Sequence, residues 1–108
     1  MITLKEYIDG INIWLDDIRK APKGFIHVKW PNEVIDLIKK YKNVNIISLD
    51  HDLGDDKRGT GYDVLLWIEE QAYTNSLFKI PNQILVHSDN TVAKKKMLLA
   101  IQSINKKR

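Results

Sequence analysis

An α/β fold, built on a small and mostly parallel sheet flanked by helices, follows from three features of the sequence. Short β-branched runs alternate with longer segments of helical periodicity, the pattern of a sheet covered by helices. Three of those runs stop abruptly at polar groups. Ile11-Asn12-Ile13-Trp14-Leu15 meets Asp16-Asp17, Ile46-Ile47-Ser48-Leu49 meets Asp50-His51-Asp52, and Ile84-Leu85-Val86 meets His87-Ser88-Asp89-Asn90. Ligands of open α/β sheets bind at the carboxyl ends of the strands, which places these polar groups on one functional edge. A chain of 108 residues has material for one core, so residues 1–108 are read as a single domain.

Thr3 and Glu6 form a capping-box pattern, which predicts a short helix over 3–9 that Gly10 ends. Ile11–Leu15 is the first strand. Residues Ile18 to Gly24 leave no room for a crossover helix before the second strand, Phe25–Trp30. Parallel pairing normally takes a connection of about a dozen residues. The direction of this strand is therefore open between a coil that returns across the sheet and an antiparallel hairpin. Pro31 suits the first turn of a helix. Val34, Ile35, Leu37, Ile38 and Tyr41 continue that helix as an apolar stripe, with Lys39, Lys40 and Lys42 at its negative end.

The third strand is Val44–Leu49, followed by a charged loop from Gly54 to Gly61. Thr60-Gly61 opens an apolar helix through Tyr62, Val64, Leu65, Leu66, Trp67 and Ile68. Pro81 precedes the fourth strand, Gln83–Val86, and a last helix over Thr91–Ile104 sets Met97, Leu98, Ile101 and Ile104 on one side. Trp14, Trp30 and Trp67 are read as packing residues, with Trp30 also placed to stack on a base. The basic tail, 105–108, is read as a solvated face, with phosphates or nucleic acid as its functional alternative.

The absence of cysteine excludes disulfides, thiolate zinc and a cysteine nucleophile, leaving oxygen and imidazole as metal ligands. The first residues lack the basic and apolar regions of a signal peptide, and no apolar run reaches membrane-spanning length. A cytoplasmic location, with no membrane partner, is expected.

If the first and third strands are neighbours, Asp16, Asp17, Asp50 and Asp52 converge. Like charges in one crevice raise one another's pKa, and a divalent cation resolves that conflict. All-oxygen ligation points to Mg²⁺, Mn²⁺ or Ca²⁺. The plainer alternative is that Asp17 or Asp52 caps a turn or pairs with Arg19. His51 and His87 each sit within one residue of a strand end, where they can move a proton or stand inward as structural groups. His27, in a presumed edge strand, is read as structural. Arg19, Ser88, Asn90 and Lys94 are candidate phosphate ligands, helped by the positive start of the last helix. No nucleophile-elbow pattern surrounds Ser88.

The acid pair Asp16-Asp17, the strand-ending Asp50, the helix start Gly61-Tyr62-Asp63-Val64 and the hydroxyl of Ser88 resemble the receiver domain of response regulators. Receivers bind Mg²⁺ through such acids and take a phosphoryl group on the residue matching Asp50. This sequence departs from them in having no helix between strands one and two, no fifth strand with its lysine, and His51, Asp52 and His87 at the edge. The fuller string is similar to a divergent receiver-like group, the cyclic-phosphate processing receiver domains. It comprises Trp14-Leu15-Asp16-Asp17-Ile18-Arg19-Lys20-Ala21-Pro22, Ser48 to Gly54, Thr60-Gly61-Tyr62-Asp63 and His87-Ser88-Asp89-Asn90. Thr91 stands where that group's pattern has proline.

The resemblance implies a flavodoxin-like sheet and a role in bacteria or phages, with anti-phage defence as a setting. It also implies action on a cyclic nucleotide or a 2′,3′-cyclic RNA end. The reading that follows is a phosphodiesterase using Mg²⁺ or Mn²⁺, with metal on Asp16, Asp17, Asp50 and Asp52. Asp50, His51 and His87 would carry the chemistry. Alternatives are a protein that sequesters a cyclic nucleotide uncleaved, and a phosphoacceptor or interaction module of the receiver type. DNA is not an expected partner, and a homodimer remains open.

Overall fold

The structure, a computed structural model, describes residues 3–108, without the side chains of residues 6–8. The capping contact expected between Thr3 and Glu6 falls on one of those side chains, outside the described residues. Helix α1 spans Leu4–Asp9 and ends at Gly10, whose φ of +97° belongs to the left-handed region. A Cβ at Gly10 would also stand 2.8 Å from the backbone nitrogen of Asn45, so both conformation and space require glycine.

Four strands follow, β1 (Ile11–Leu15), β2 (Ile26–Val28), β3 (Val44–Leu49) and β4 (Gln83–Val86), all parallel in the order β2-β1-β3-β4. Interleaved are α2 (Pro31–Tyr41), α3 (Gly61–Thr74) and α4 (Thr91–Asn105), with a 3₁₀ turn at Asp56–Arg58 that the sequence pattern does not reveal. The direction of β2 is thereby settled. A five-residue strand is about 17 Å long, and the ten residues of coil, bend and turn between β1 and β2 are enough to return the chain across it.

Right-handed crossovers decide which face each connection takes. The steps β2→β3 and β3→β4 run the same way across the sheet, which puts α2 and α3 on one face, and α4 packs on α3. Ile11, Ile13, Leu15, Ile47, Leu49 and Ile84 point toward these helices and form the core with Val34, Val64, Leu65, Ile68, Met97 and Ile104. The step β1→β2 runs the other way, so its coil crosses the opposite face. There Trp14 fills the space a crossover helix would occupy. It packs edge-on against Phe25 at 6.1 Å, and its Nε1 donates to the Arg19 carbonyl at 3.0 Å.

Trp67 packs against Phe78, while the face of Trp30 is taken by the Arg58 guanidinium at 3.9 Å. Leu98 is a correction to the expected α4 stripe. It is 45% exposed, whereas Met97, Ala100, Ile101 and Ile104 are buried, because the buried face advances by three and four residues and passes it by. The basic tail folds back on the domain, with Arg108 Nη2 donating to the Pro81 carbonyl at 2.6 Å. Among the described residues, no helix is long and apolar enough to cross a membrane.

Candidate active site

Strands β1 and β3 are neighbours, so their ends bring Asp16, Asp17 and Asp50 together. Each offers a carboxylate oxygen, and the three oxygens lie within 4.8 Å of one another. Asp16 is 2% exposed and heavily bonded. Its Oδ1 accepts from the backbone nitrogens of Ile18 and Arg19, both at 2.8 Å, and its Oδ2 accepts from His87 Nε2 at 3.0 Å. Burial by itself would raise its pKa, but these three donors outweigh it and hold Asp16 below the usual carboxylate range. Asp50 is shifted the other way. Burial, with the charge of Asp16 adding to it, raises its carboxyl against hydrogen bonds from the His51 amide and the Ser88 hydroxyl.

Asp17 is half-buried and closes the crevice on the side of Gly54, where a Cβ would stand 3.4 Å from its Oδ2. Gly61 seals the floor. A Cβ there would collide with the Asp50 carbonyl oxygen and stand 3.0 Å from Met97 Cε, so only glycine lets α3 begin this close to β3. Asp63 then caps the helix by accepting from the Thr60 backbone nitrogen at 2.8 Å.

His87 belongs to the structure of the crevice more than to its opening. It leaves β4 and crosses over Ser48 of β3 to stack on Trp14 of β1, with ring centroids 3.7 Å apart and planes within 3°. Strands two places apart are separated by about 9.6 Å, and the small Ser48 between them leaves the imidazole room. Ser48 Oγ lies 2.7 Å from His87 Nδ1. An ionised carboxylate only accepts, so His87 Nε2 donates to Asp16 and, in the neutral ring, Nδ1 accepts from Ser48. Burial favours that neutral ring, pushing the imidazole below its ordinary pKa despite Asp16. Ser48 is the residue that the sequence reading missed. Its signal was a lone hydroxyl between Ile47 and Leu49.

The chain belongs to a family of receiver domains. The family described as the cyclic-phosphate processing Receiver domain matches residues 11–103, most of the chain. No curated protein and no solved structure matches.

The other expected residues of this receiver domain surround the crevice. Asp52 stands outside the three-carboxylate cluster. Its Oδ1 lies 2.8 Å from His51 Nδ1, and its Oδ2 accepts from Asn90 Nδ2 at 3.3 Å. The His51 contact leads in holding the Asp52 carboxyl below its usual range. The Asp52 carboxylate fixes the tautomer of His51, leaving Nε2 as the ring nitrogen open to a ligand. Arg19 ties the β1–β2 coil to the start of α4: Nη1 donates to the His87 carbonyl at 2.9 Å, and Nη2 pairs with Asp89. Asn90 caps α4, its Oδ1 accepting from the Ala93 nitrogen at 3.1 Å, while Ser88 Oγ accepts from the Asn90 nitrogen at 3.1 Å. Lys94 lies one turn into α4. His27 is structural, with Nε2 2.8 Å from the Asp16 carbonyl oxygen.

Proposed function

We propose that this receiver domain is a metal-dependent phosphodiesterase that hydrolyses a cyclic phosphate, either a cyclic nucleotide or a 2′,3′-cyclic RNA end. The observation that carries this reading is the convergence of Asp16, Asp17 and Asp50 at the carboxyl edge of the sheet. Three carboxylates in one crevice call for a compensating cation. Their all-oxygen donor set fits Mg²⁺ or Mn²⁺. When bound, such an ion supplies Lewis-acid polarisation of the phosphoryl oxygens.

The remaining roles fall to side chains of the same edge. His87 is a positioning residue, since both of its ring nitrogens are engaged by Ser48 and Asp16. His51 is the proton carrier. In hydrolysis a water oxygen bonds to phosphorus, one ring P–O bond breaks, water loses a proton and the departing oxygen gains one. His51 Nε2 can take the first and return the second, with Asp52 holding the ring through Nδ1. Arg19 has five N–H donors, and those not used on His87 and Asp89 remain for a phosphate oxygen. Ser88, Asn90 and Lys94 complete the phosphate pocket at the start of α4.

The test is a turnover screen by mass spectrometry. Purified domain is mixed with cyclic mono-, di- and trinucleotides and 2′,3′-cyclic phosphates, in Mg²⁺, Mn²⁺ or EDTA, with Asp50→Asn in parallel. Ring opening by the wild type that EDTA and Asp50→Asn both abolish is the expected result. Ligand retained but uncleaved would make the domain a sequestering protein. Stable phosphorylation of Asp50 by a small phosphodonor would make it a receiver in the signalling sense.

A further inference from the structure

At the opposite end of the sheet, away from every acid of the crevice, lies a cavity of about 480 Å³. Pockets for small ligands run from roughly 300 to 1,000 Å³. It opens between the C-terminal end of α2, the second half of α3 and the loop leading to β4. Trp67 and Phe78 form its apolar wall, packed edge to face at 5.6 Å, with Ile38 beneath. Lys39, Lys42 and Lys79 stand on its rim, and none of its lining residues among those described is an acid. Lys39 Nζ is 5.9 Å from the Trp67 ring, and Lys79 Nζ donates to Asn43 Oδ1 at 2.7 Å. Gln71 and Asn75 add amide edges able both to donate and to accept.

We infer that this cavity binds a nucleoside monophosphate, its base on the Trp67–Phe78 wall and its phosphate on the three lysines. The charge of the rim selects the class. Three lysine side chains, with no acid among the described lining residues, give the rim a positive charge that an anion complements. A phosphomonoester carries close to two negative charges at neutral pH, whereas a cyclic diester carries one. The aromatic wall selects the rest, because a planar base stacks on indole and phenyl faces whatever its sequence identity. Lysines also serve the negative end of α2, but Lys79 lies on the α3–β4 loop, outside any helix. The cavity shares no residue with the carboxylate site, so binding here and turnover there are separable. An opened nucleotide would be held while its cyclic precursor would not.

The experiment is a titration of ¹⁵N-labelled domain, in EDTA, with 5′-AMP, adenosine, 3′,5′-cyclic AMP, inorganic phosphate and an acidic peptide. Amide shifts locate the ligand and calorimetry gives its affinity. Expected is saturable binding of 5′-AMP, with shifts at Lys39, Lys42, the Trp67 indole and Phe78. Adenosine and cyclic AMP should each bind at least tenfold more weakly. The surface double variant Lys39→Ala/Lys79→Ala should lose tenfold or more for 5′-AMP while its amide spectrum remains that of the folded domain, and Asp50→Asn should bind as the wild type does. Shifts confined to the Asp16–Asp50 edge would overturn the assignment. So would inorganic phosphate binding as well as 5′-AMP, saturable binding of the peptide but not of 5′-AMP, or the absence of saturation at millimolar ligand.

Discussion

Asp16 at the end of β1 and Asp50 at the end of β3 bring the same carboxyl group to the same crevice, yet their surroundings drive them in opposite directions. Asp16 is the more deeply buried of the two, but three donors converge on it and it stays ionised. Asp50 has fewer donors, shares the field of Asp16 and is pushed toward its neutral form. Burial alone therefore does not set the state of an acid; the number of donors delivered to it does. The end of β1 is built as a fixed anchor. The end of β3 is left under electrostatic strain that a cation or a proton relieves, and paired sites of this kind are where reactive groups are found.

The same substitution at the two positions separates these roles. Asp50→Asn removes an unfavourable charge, so in EDTA it should raise Tm, while in Mg²⁺ it should abolish turnover, a loss of at least about 10³-fold on the scale at which a lost electrostatic contact acts. Asp16→Asn should abolish turnover too, but it turns an amide donor toward His87 Nε2–H or leaves backbone donors unmet. Each buried group left unsatisfied costs about 1–3 kcal/mol. Thermal melts of both variants in EDTA check the contrast, and matching signs would dissolve it.

His87→Ala attacks the anchor from behind. It strips Asp16 of one donor, Ser48 of its partner and Trp14 of its stacked ring. Loss of a group that orients a ligand lowers metal affinity about 10- to 100-fold, and the orphaned hydrogen-bonding groups should cost about 2–4 kcal/mol of stability. Calorimetric titration with Mn²⁺ and a urea melt give the two numbers. Ser48→Val should reproduce much of this, since a branched side chain occupies the space over which the imidazole passes.

These dependencies mark where the sequence was legible. β1, β3 and β4 and the starts of α2 and α3 could be read because alternation, Pro31 and Thr60-Gly61 act locally. The three-acid cluster could be read because adjacent strand ends must meet. Two things could not. The Ser48–His87–Asp16 bridge spans three strands, and no pattern within any one of them encodes it. The parallel course of β2 depends on Trp14 standing in for a helix, a packing fact that one residue type does not announce. Likewise nothing local separates Asp52, committed to His51 and Asn90, from the acids it sits beside.

Gly61→Ala tests the other side of the comparison with a single methyl. Its Cβ would meet the Asp50 carbonyl, so α3 or the end of β3 must shift. Overpacking of this kind costs about 1–3 kcal/mol. Because Asp50 moves and Asp16 does not, Mn²⁺ affinity should fall while the His87 ring resonances remain as in the wild type. A perturbed His87 would mean that the two strand ends are one rigid unit.

The smallest effect expected is the dependence of stability on pH, and it carries the sign of each acid. Asp50 has a folded pKa above its unfolded value of about 3.9, so between those two values the native state binds more protons than the unfolded chain. Stability in EDTA then rises as pH falls through that window, relative to a chain lacking the group. Asp16 does the reverse. Its contribution is complete above about pH 3.9 and is lost only as pH falls through its depressed folded value. His87, buried and neutral, loses stability as pH falls below its unfolded value of about 6.5, because the unfolded imidazole takes up the proton first. The difference in melting between wild type and Asp50→Asn should therefore shrink from pH 7 toward pH 4. The difference between wild type and Asp16→Asn should persist over the same range. A gap at Asp50 that widened on acidification would reverse the assignment of strain and anchor between the two strand ends.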